Sequence, residues 1–273
     1  MLRKNLAKFG MFVAVAGMIA WGAPVVHAQG AGAEAQLRAI VAGAQRSAKN
    51  RARDRYRHPV ETLEFFGLRP DMTVVEIAPD GGWYTEILAP YLKPQGKLYE
   101  AVPPGRSLQS FRKKIAANPE LYGKIIVTEL NPEKKAAIAP AGSADLILTF
   151  RNVHDWVAKG DAESYFQTFY RALKPGGTLG VVDHGSKLPA DPHARSGYLT
   201  QGQIVALARQ AGFKLAASSA INANPNDDTD HPAGVWTLPP TFRLGDKDRA
   251  KYAAIGESNR LTLKFVKPAA TNK

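Results

Sequence analysis

The chain contains no cysteine. That absence excludes a disulfide-stapled scaffold, thiol catalysis, iron–sulfur clusters and cysteine zinc sites. Acidic residues are also scarce, 24 Asp and Glu against 36 Lys and Arg, giving a formal net charge of +12. A basic balance permits anionic partners without requiring them. No zinc finger, RNA-binding aromatic signature or long basic block accompanies it, so specific nucleic-acid binding is not expected. Long apolar runs are missing beyond the first two dozen residues. What remains is an ordinary globular composition, 45% hydrophobic and 22% charged over 273 residues. That is enough for one large domain with a sizeable core.

Residues 1–28 have the pattern of a secretory signal peptide. Arg3, Lys4 and Lys8 precede an apolar stretch from Met11 to Trp21, and Pro24 leads to Val26-His27-Ala28. The stretch is short for a span of ~20 residues, so no stable membrane insertion is expected after cleavage behind Ala28. The expectation is an exported protein, periplasmic in a bacterium. An uncleaved anchor is the alternative.

Residues 29–69 read as an N-terminal helical segment. Leu37, Ile40 and Val41 share a face between Glu34 and Ala44. Arg46, Lys49, Arg51, Arg53, Arg55 and Arg57 then crowd a short run, expected to be a solvated face. Glu61 to Phe66 is a short helix with Gly67 as its C-cap.

After Pro70, strands alternate with helices up to residue 268. Expected strands are Thr73–Ile77, Lys97–Val102, Ile125–Leu130, Ala144–Phe150, Thr178–Asp183, Phe213–Ser219 and Leu261–Val266. Expected helices are Trp83–Leu92, shortened by Pro90, Ser107–Ala117, Ala162–Leu173, a helix opened by the Thr200/Gln203 capping box, and Arg249–Ile255. Leu173 to Gly177 ends the third of these. Residues 222–240 form a polar loop within a lid region 222–258, and 269–273 are a tail. Trp236 to Pro240 is placed over the site. The Asn226–His231 stretch lacks calcium-loop spacing and is expected to be solvated.

Such alternation implies a mainly parallel sheet covered on both faces, with its ligand outside the carboxyl ends of the strands. That directs attention to Glu76, Ala78, Pro79, Asp80, Gly81, Gly82, Trp83 and Tyr84 after the first strand. Two glycines there let a ligand approach the backbone. Asp80 would repel a phosphate at the helix N-terminus, so the turn suits a nucleoside ligand with cationic groups. Arg151, Asn152, His154, Asp155 and Trp156 follow the fourth strand. His154 has the ordinary pKa of a general base, with Asp155 orienting it or binding substrate. A helix cap with a buried Trp anchor is the competing reading. Asp183 and His184 end the fifth strand at the same edge. His58, His154, Asp183 and His184 could gather a metal, but no pair has i, i+4 spacing, so no metal site is assigned.

Thr73–Pro90 followed by Leu173–Gly177 resembles a class I S-adenosylmethionine-dependent methyltransferase. The runs Arg55–Pro59, Gly81–Thr85, Arg151–Trp156 and Gly256–Ser258 resemble a group of exported methyltransferases across about residues 50–268. The resemblance implies a three-layer Rossmann-like fold with a seven-stranded sheet, its last strand antiparallel. It implies S-adenosylmethionine as cofactor, held by residues 76–84, Glu100, Arg151 and Asn152, and a small-molecule acceptor with His154 or His184 as base. Ala78 and Asp80 stand where the family's motif has its first two glycines. The ribose-binding acid of the family aligns with Val102, two residues past Glu100. A non-catalytic binding protein on the same scaffold and a metal-dependent hydrolase or lyase are the alternatives.

Overall fold

The computed structural model describes residues 25–269. The expectations for residues 1–24 lie outside them. Among the described residues no helix is long and apolar enough to cross a membrane.

Four helices come first: α1 (Val25–Ala42), α2 (Ala48–Arg51), α3 (Asp54–Arg57) and α4 (Pro59–Phe66). The proposed cleavage point behind Ala28 falls within α1. Pro59 opens α4, where its missing N–H costs nothing, and Gly67 closes it at φ 81°. There follow β1 (Thr73–Ile77), α5 (Thr85–Leu92), β2 (Lys97–Val102), α6 (Arg106–Ala116), α7 (Pro119–Tyr122), β3 (Ile126–Glu129) and β4 (Ala144–Phe150). The chain continues through α8 (Val153–Lys159), α9 (Ala162–Ala172), β5 (Leu173–His184), α10 (Gln201–Gln210) and β6 (Lys214–Ser219). It ends with α11 (Arg249–Ile255) and β7 (Arg260–Val266).

The strands form one seven-stranded sheet in the order β3-β2-β1-β4-β5-β7-β6. The pairings from β3 through β5 are parallel, and β7 runs antiparallel to both β5 and β6. The order turns back between β1 and β4, the switch point where α/β sheets bind ligands. One core covers the face of α8, α9 and α10, with Trp156, Phe166, Phe169 and Phe213 on Ile147, Leu179 and Val181. The other packs α1, α4 and α5 on Val74, Leu146 and Leu148 through Leu37, Phe66 and Ile87. Gly180 sits where α4 crosses β5. A Cβ there would lie 2.7 Å from the Phe66 ring. The absent side chain is what lets this helix reach the sheet.

Pro90 lies inside α5, which ends at Leu92 as expected. Other expected features move. Leu173–Gly177 is the opening of the twelve-residue β5, with a register irregularity opposite Ala144 to Leu146. The Asn226–His231 stretch is not solvated throughout. Asp227 is fully buried and accepts hydrogen bonds from the Tyr198 hydroxyl and the Thr229 and Asn259 amides. His231 Nε2 lies 2.8 Å from the same carboxylate. A carboxylate so saturated anchors its loop.

Candidate functional site

The turn after β1 is strained. Ala78 and Asp80 both have positive φ, 47° and 50°, as does Gly82 at 75°. Across the switch point Arg151 does too, at 62°. Three non-glycine residues in this conformation around one cleft are costly, and such strain gathers at functional sites. Asn152 fixes the turn by donating to the Ile77 carbonyl at 3.0 Å and Thr149 Oγ1 at 3.1 Å. It ties β1 to β4 and does not line the cavities beside it.

Two cavities open at this edge. The first, of ≈ 250 Å³, is lined by residues Glu76 to Gly81, Trp83, Tyr84, Phe150, Arg151 and three side chains of the N-terminal segment, Asn50, Arg53 and Arg57. The second, of ≈ 190 Å³, is lined by His154, Asp155, His184, Trp236, Pro239, Pro240 and Ser258 among others. Asp80 and Arg151 border both. Trp236, Pro239 and Pro240 thus wall the cavity that holds His154. Gly82 lines neither; its φ shapes the turn.

The arginine run is not a solvated face. Arg46 is 1% exposed and binds Asp54 through both terminal nitrogens, at 2.7 and 2.8 Å. Arg46 and Arg57 each stack over the Trp83 ring at 4.7 Å. The Trp83 indole donates to the Asn50 carbonyl at 3.0 Å. These contacts clamp residues 46–57 over the first cavity. Glu257 sits beneath, accepting from Arg53, Arg57 and Arg260. Although burial opposes its charge, Arg260 and the other two hold its carboxyl at about 2. Arg57 is pulled down to about 8, by burial first and then by Arg151 and Arg260. None of the Glu257, Arg260 and Asn222 contributions had been singled out from the sequence. Only the resemblance of Gly256–Ser258 pointed to that region.

At the second cavity, Asp183 is fully buried and faces a row of donors. It accepts from the amides of Val153 at 2.6 Å, His154 at 3.2 Å and His184 at 2.7 Å. His154 Nδ1 lies 2.8 Å from Oδ1, the oxygen that the His184 amide also reaches. That contact places the Nδ1 proton and turns Nε2 toward Asp155, 3.6 Å away. Burial opposes protonation of His154, but Asp183 outweighs it and raises the imidazole above its usual value. His184 is the opposite case. Burial, with His154 and Arg260 adding to it, pushes it well down, and its Nδ1 meets Ser258 Oγ at 2.6 Å. Two histidines with ring centroids 4.9 Å apart are thus pushed in opposite directions, the arrangement from which acid and base roles are assigned.

The nitrogens and oxygens of His154, Asp183 and His184 approach within 4.8 Å of one another. The oxygens of Asp183 are already committed to the donors just named, and each Nδ1 has a partner. The trio therefore fits an orienting carboxylate better than a metal ligand set. His58 does not join it.

Glu100 lies in the sheet interior, opposite Glu76 in the β1–β2 register. Its two oxygens meet no donor, and the Glu76 carboxyl is beside it, so the pair can bond only by sharing a proton. Burial raises Glu100 well above the carboxylate range and Glu76 to about 7, with Thr85 Oγ1 donating to Glu76 at 2.9 Å. Glu100 lines neither cavity. Its place one residue before Ala101 and Val102 puts it too deep to reach a ligand, so the ribose acid that the resemblance implies is not supplied by this residue. The lining otherwise offers Asp80 to a cationic group such as those of S-adenosylmethionine, Trp83, Tyr84 and Phe150 as flat apolar surface, and Arg53, Arg57 and Arg151 to an anion. Tyr84 and Phe150 already stack at 3.6 Å.

No protein-family model matches the chain. No curated protein sequence matches it either. Solved structures do. A SAM-dependent methyltransferase from Aquifex aeolicus superposes with a TM-score of 0.56 at 13% identity, over 86% of this chain and 98% of that one. The [4+2]-cyclase SpnF gives 0.56 at 14% identity, over 89% and 96%. Phosphoethanolamine N-methyltransferase 2 from Haemonchus contortus, solved with S-adenosyl-L-methionine, gives 0.52 at 16% identity, over 78% and 53%. At such identities the likeness concerns architecture, and the chain has the Rossmann-like fold on which these two methyltransferases and the cyclase are built.

Proposed function

We propose that the chain transfers a methyl group from S-adenosylmethionine to a small-molecule acceptor. The observation that carries this reading is the pair of cavities sharing Asp80 and Arg151 at the switch point. One offers Asp80 and flat apolar surface to the cofactor. The other presents the Asp183–His154 pair to an acceptor. The cofactor would supply an electrophilic methyl, and the protein's part is to hold the acceptor in line and exclude water. Where the acceptor must lose a proton, His184, neutral through burial, or His154 Nε2 takes it. The signal-peptide pattern of residues 1–28 supports export of this activity, which in a bacterium means the periplasm.

A second reading rests on the interior position of Glu100 together with Ala78 and Asp80 at the altered turn. They favour a binding protein that has kept the scaffold without the nucleoside clamp. Calorimetric titration of the purified chain with S-adenosylmethionine and S-adenosylhomocysteine separates the two. The methyl-transfer reading expects micromolar binding that Gly82→Arg weakens by more than tenfold. Folded protein giving no heat at millimolar ligand would end it.

A further inference from the structure

The first cavity holds more positive charge than its reading as a cofactor site requires. Arg53, Arg57 and Arg151 line it, and Arg260 meets Arg57 and Arg151 in a narrow cleft behind, which is lined also by Tyr84 and Asn222. Against these four guanidinium groups stand Glu257, Asp80 and the proton-sharing pair of Glu76 and Glu100, so positive charge is left over. Glu257 answers only some of their donors. Arg53 Nη2, Arg57 Nη2 and Arg260 Nε are buried without a partner. Arg151 forms no ion pair among the described residues and is drawn down by burial and by Arg260 and Arg53. A guanidinium does not lose its proton in a protein. Unanswered donors on buried cations therefore mark a place for an anion.

We propose that Arg53, Arg57 and Arg151, backed by Arg260, bind a phosphate group carried by the substrate. Free donors on separate arginines ask for more than the two oxygens of a flat carboxylate, and an anionic phosphate answers the uncompensated charge. Asp80 shares the first cavity with these arginines, but the cleft in which Arg57, Arg151 and Arg260 meet does not include it. The site deepens the methyl-transfer reading by giving the acceptor's class, a phosphate monoester. It does not depend on that reading, because phosphate binding needs no methyl donor.

The test is titration of the purified full-length chain with inorganic phosphate, with malonate as the dicarboxylate control, at fixed ionic strength. Phosphate should bind saturably and more tightly than malonate. Arg53→Gln and Arg151→Gln should each weaken it about tenfold. Arg195→Gln, at an exposed arginine paired with Asp191, should leave it unchanged. Near-UV circular dichroism checks that each variant is folded. Should the variants not fold, phenylglyoxal modification of the natural protein, mapped by mass spectrometry, decides instead: phosphate should protect Arg53 and Arg151 and leave Arg195 reactive.

Binding that persists in both folded variants, equal binding of malonate, or no saturable binding would overturn the proposal. Displacement of phosphate by S-adenosylhomocysteine would overturn it too, by giving the arginines to the cofactor's carboxylate. Phosphate binding without S-adenosylhomocysteine binding would keep this site and remove methyl transfer. The reverse would keep methyl transfer and remove this site.

Discussion

Glu257→Gln should cost the protein about 3 kcal/mol at neutral pH, and the loss should vanish in acid. Glu257 is 3% exposed and is the carboxylate that Arg53, Arg57 and Arg260 share. Its pKa falls from 4.5 to about 2 on folding. At 1.36 kcal/mol per unit that shift corresponds to about 3 kcal/mol of stability. The figure agrees with the ~3–5 kcal/mol expected when one member of a buried charge cluster is removed. The sign follows from the depressed pKa. The contribution is fully present above pH 4.5 and is lost as pH falls toward 2. Urea unfolding of the natural and variant proteins, followed by tryptophan fluorescence between pH 7 and pH 3, measures the gap. It should be widest at pH 7 and narrow steadily below pH 4.5. A gap under 1 kcal/mol, or one of constant size across that range, would refute the account of Glu257 as the buried counter-charge.

Asp183→Asn should destabilise the protein by about 3 kcal/mol in the same assay, because an amide cannot accept from three backbone N–H groups and His154 together. In the folded variant the His154 pKa, followed by NMR, should drop, since burial would no longer be outweighed; an unchanged value would show that Asp183 does not hold the ring. Gly180→Ala should lower the thermal midpoint by several degrees, because its Cβ would stand 2.7 Å from the Phe66 ring, an overpacking cost of about 1–3 kcal/mol. Phe66→Leu in the same chain should recover part of that loss, and no recovery would place the strain elsewhere.

Much of the sheet was legible because buried parallel strands are unbroken apolar runs. Thr73–Ile77, Lys97–Val102 and Ala144–Phe150 have the bounds that their composition announces. So does Arg249–Ile255 among the helices. The seven strands and the antiparallel last one followed from the resemblance; their order in the sheet is a finding of the structure. Helix α5 ends at Leu92 as expected, with Pro90 inside its last turn, where the missing N–H leaves the Glu86 carbonyl without its i+4 donor. The arginine run did mislead. A string of like charges is normally solvated, and nothing in its own spacing reveals that Trp83 and Glu257, distant in the chain, wait to receive it. Asp227 was hidden likewise, since its donors come from residues 198, 229, 231 and 259. Of the candidate site, the turn 76–84 and the pair of histidines could be found locally. That Glu100 faces Glu76 could not, because it is a matter of strand register.

The clamp of residues 46–57 has a consequence for how the chain must be handled as a physical object. Its arginines and Asn50 form one wall of the first cavity, while its anchors, Trp83 and Glu257, come from opposite ends of the sheet domain's sequence and meet at Arg57. Wall and ligand are then thermodynamically linked: whatever occupies the cavity favours the docked segment, and the docked segment favours occupancy by the same factor. A fragment beginning at Pro70, where the strand alternation starts, would keep all seven strands and lose the receptor. Here the start of the strand alternation and the start of the functional unit are different places in the sequence, and Leu37, Leu63 and Phe66, which cover one face of the sheet, lie before both Pro70 and β1.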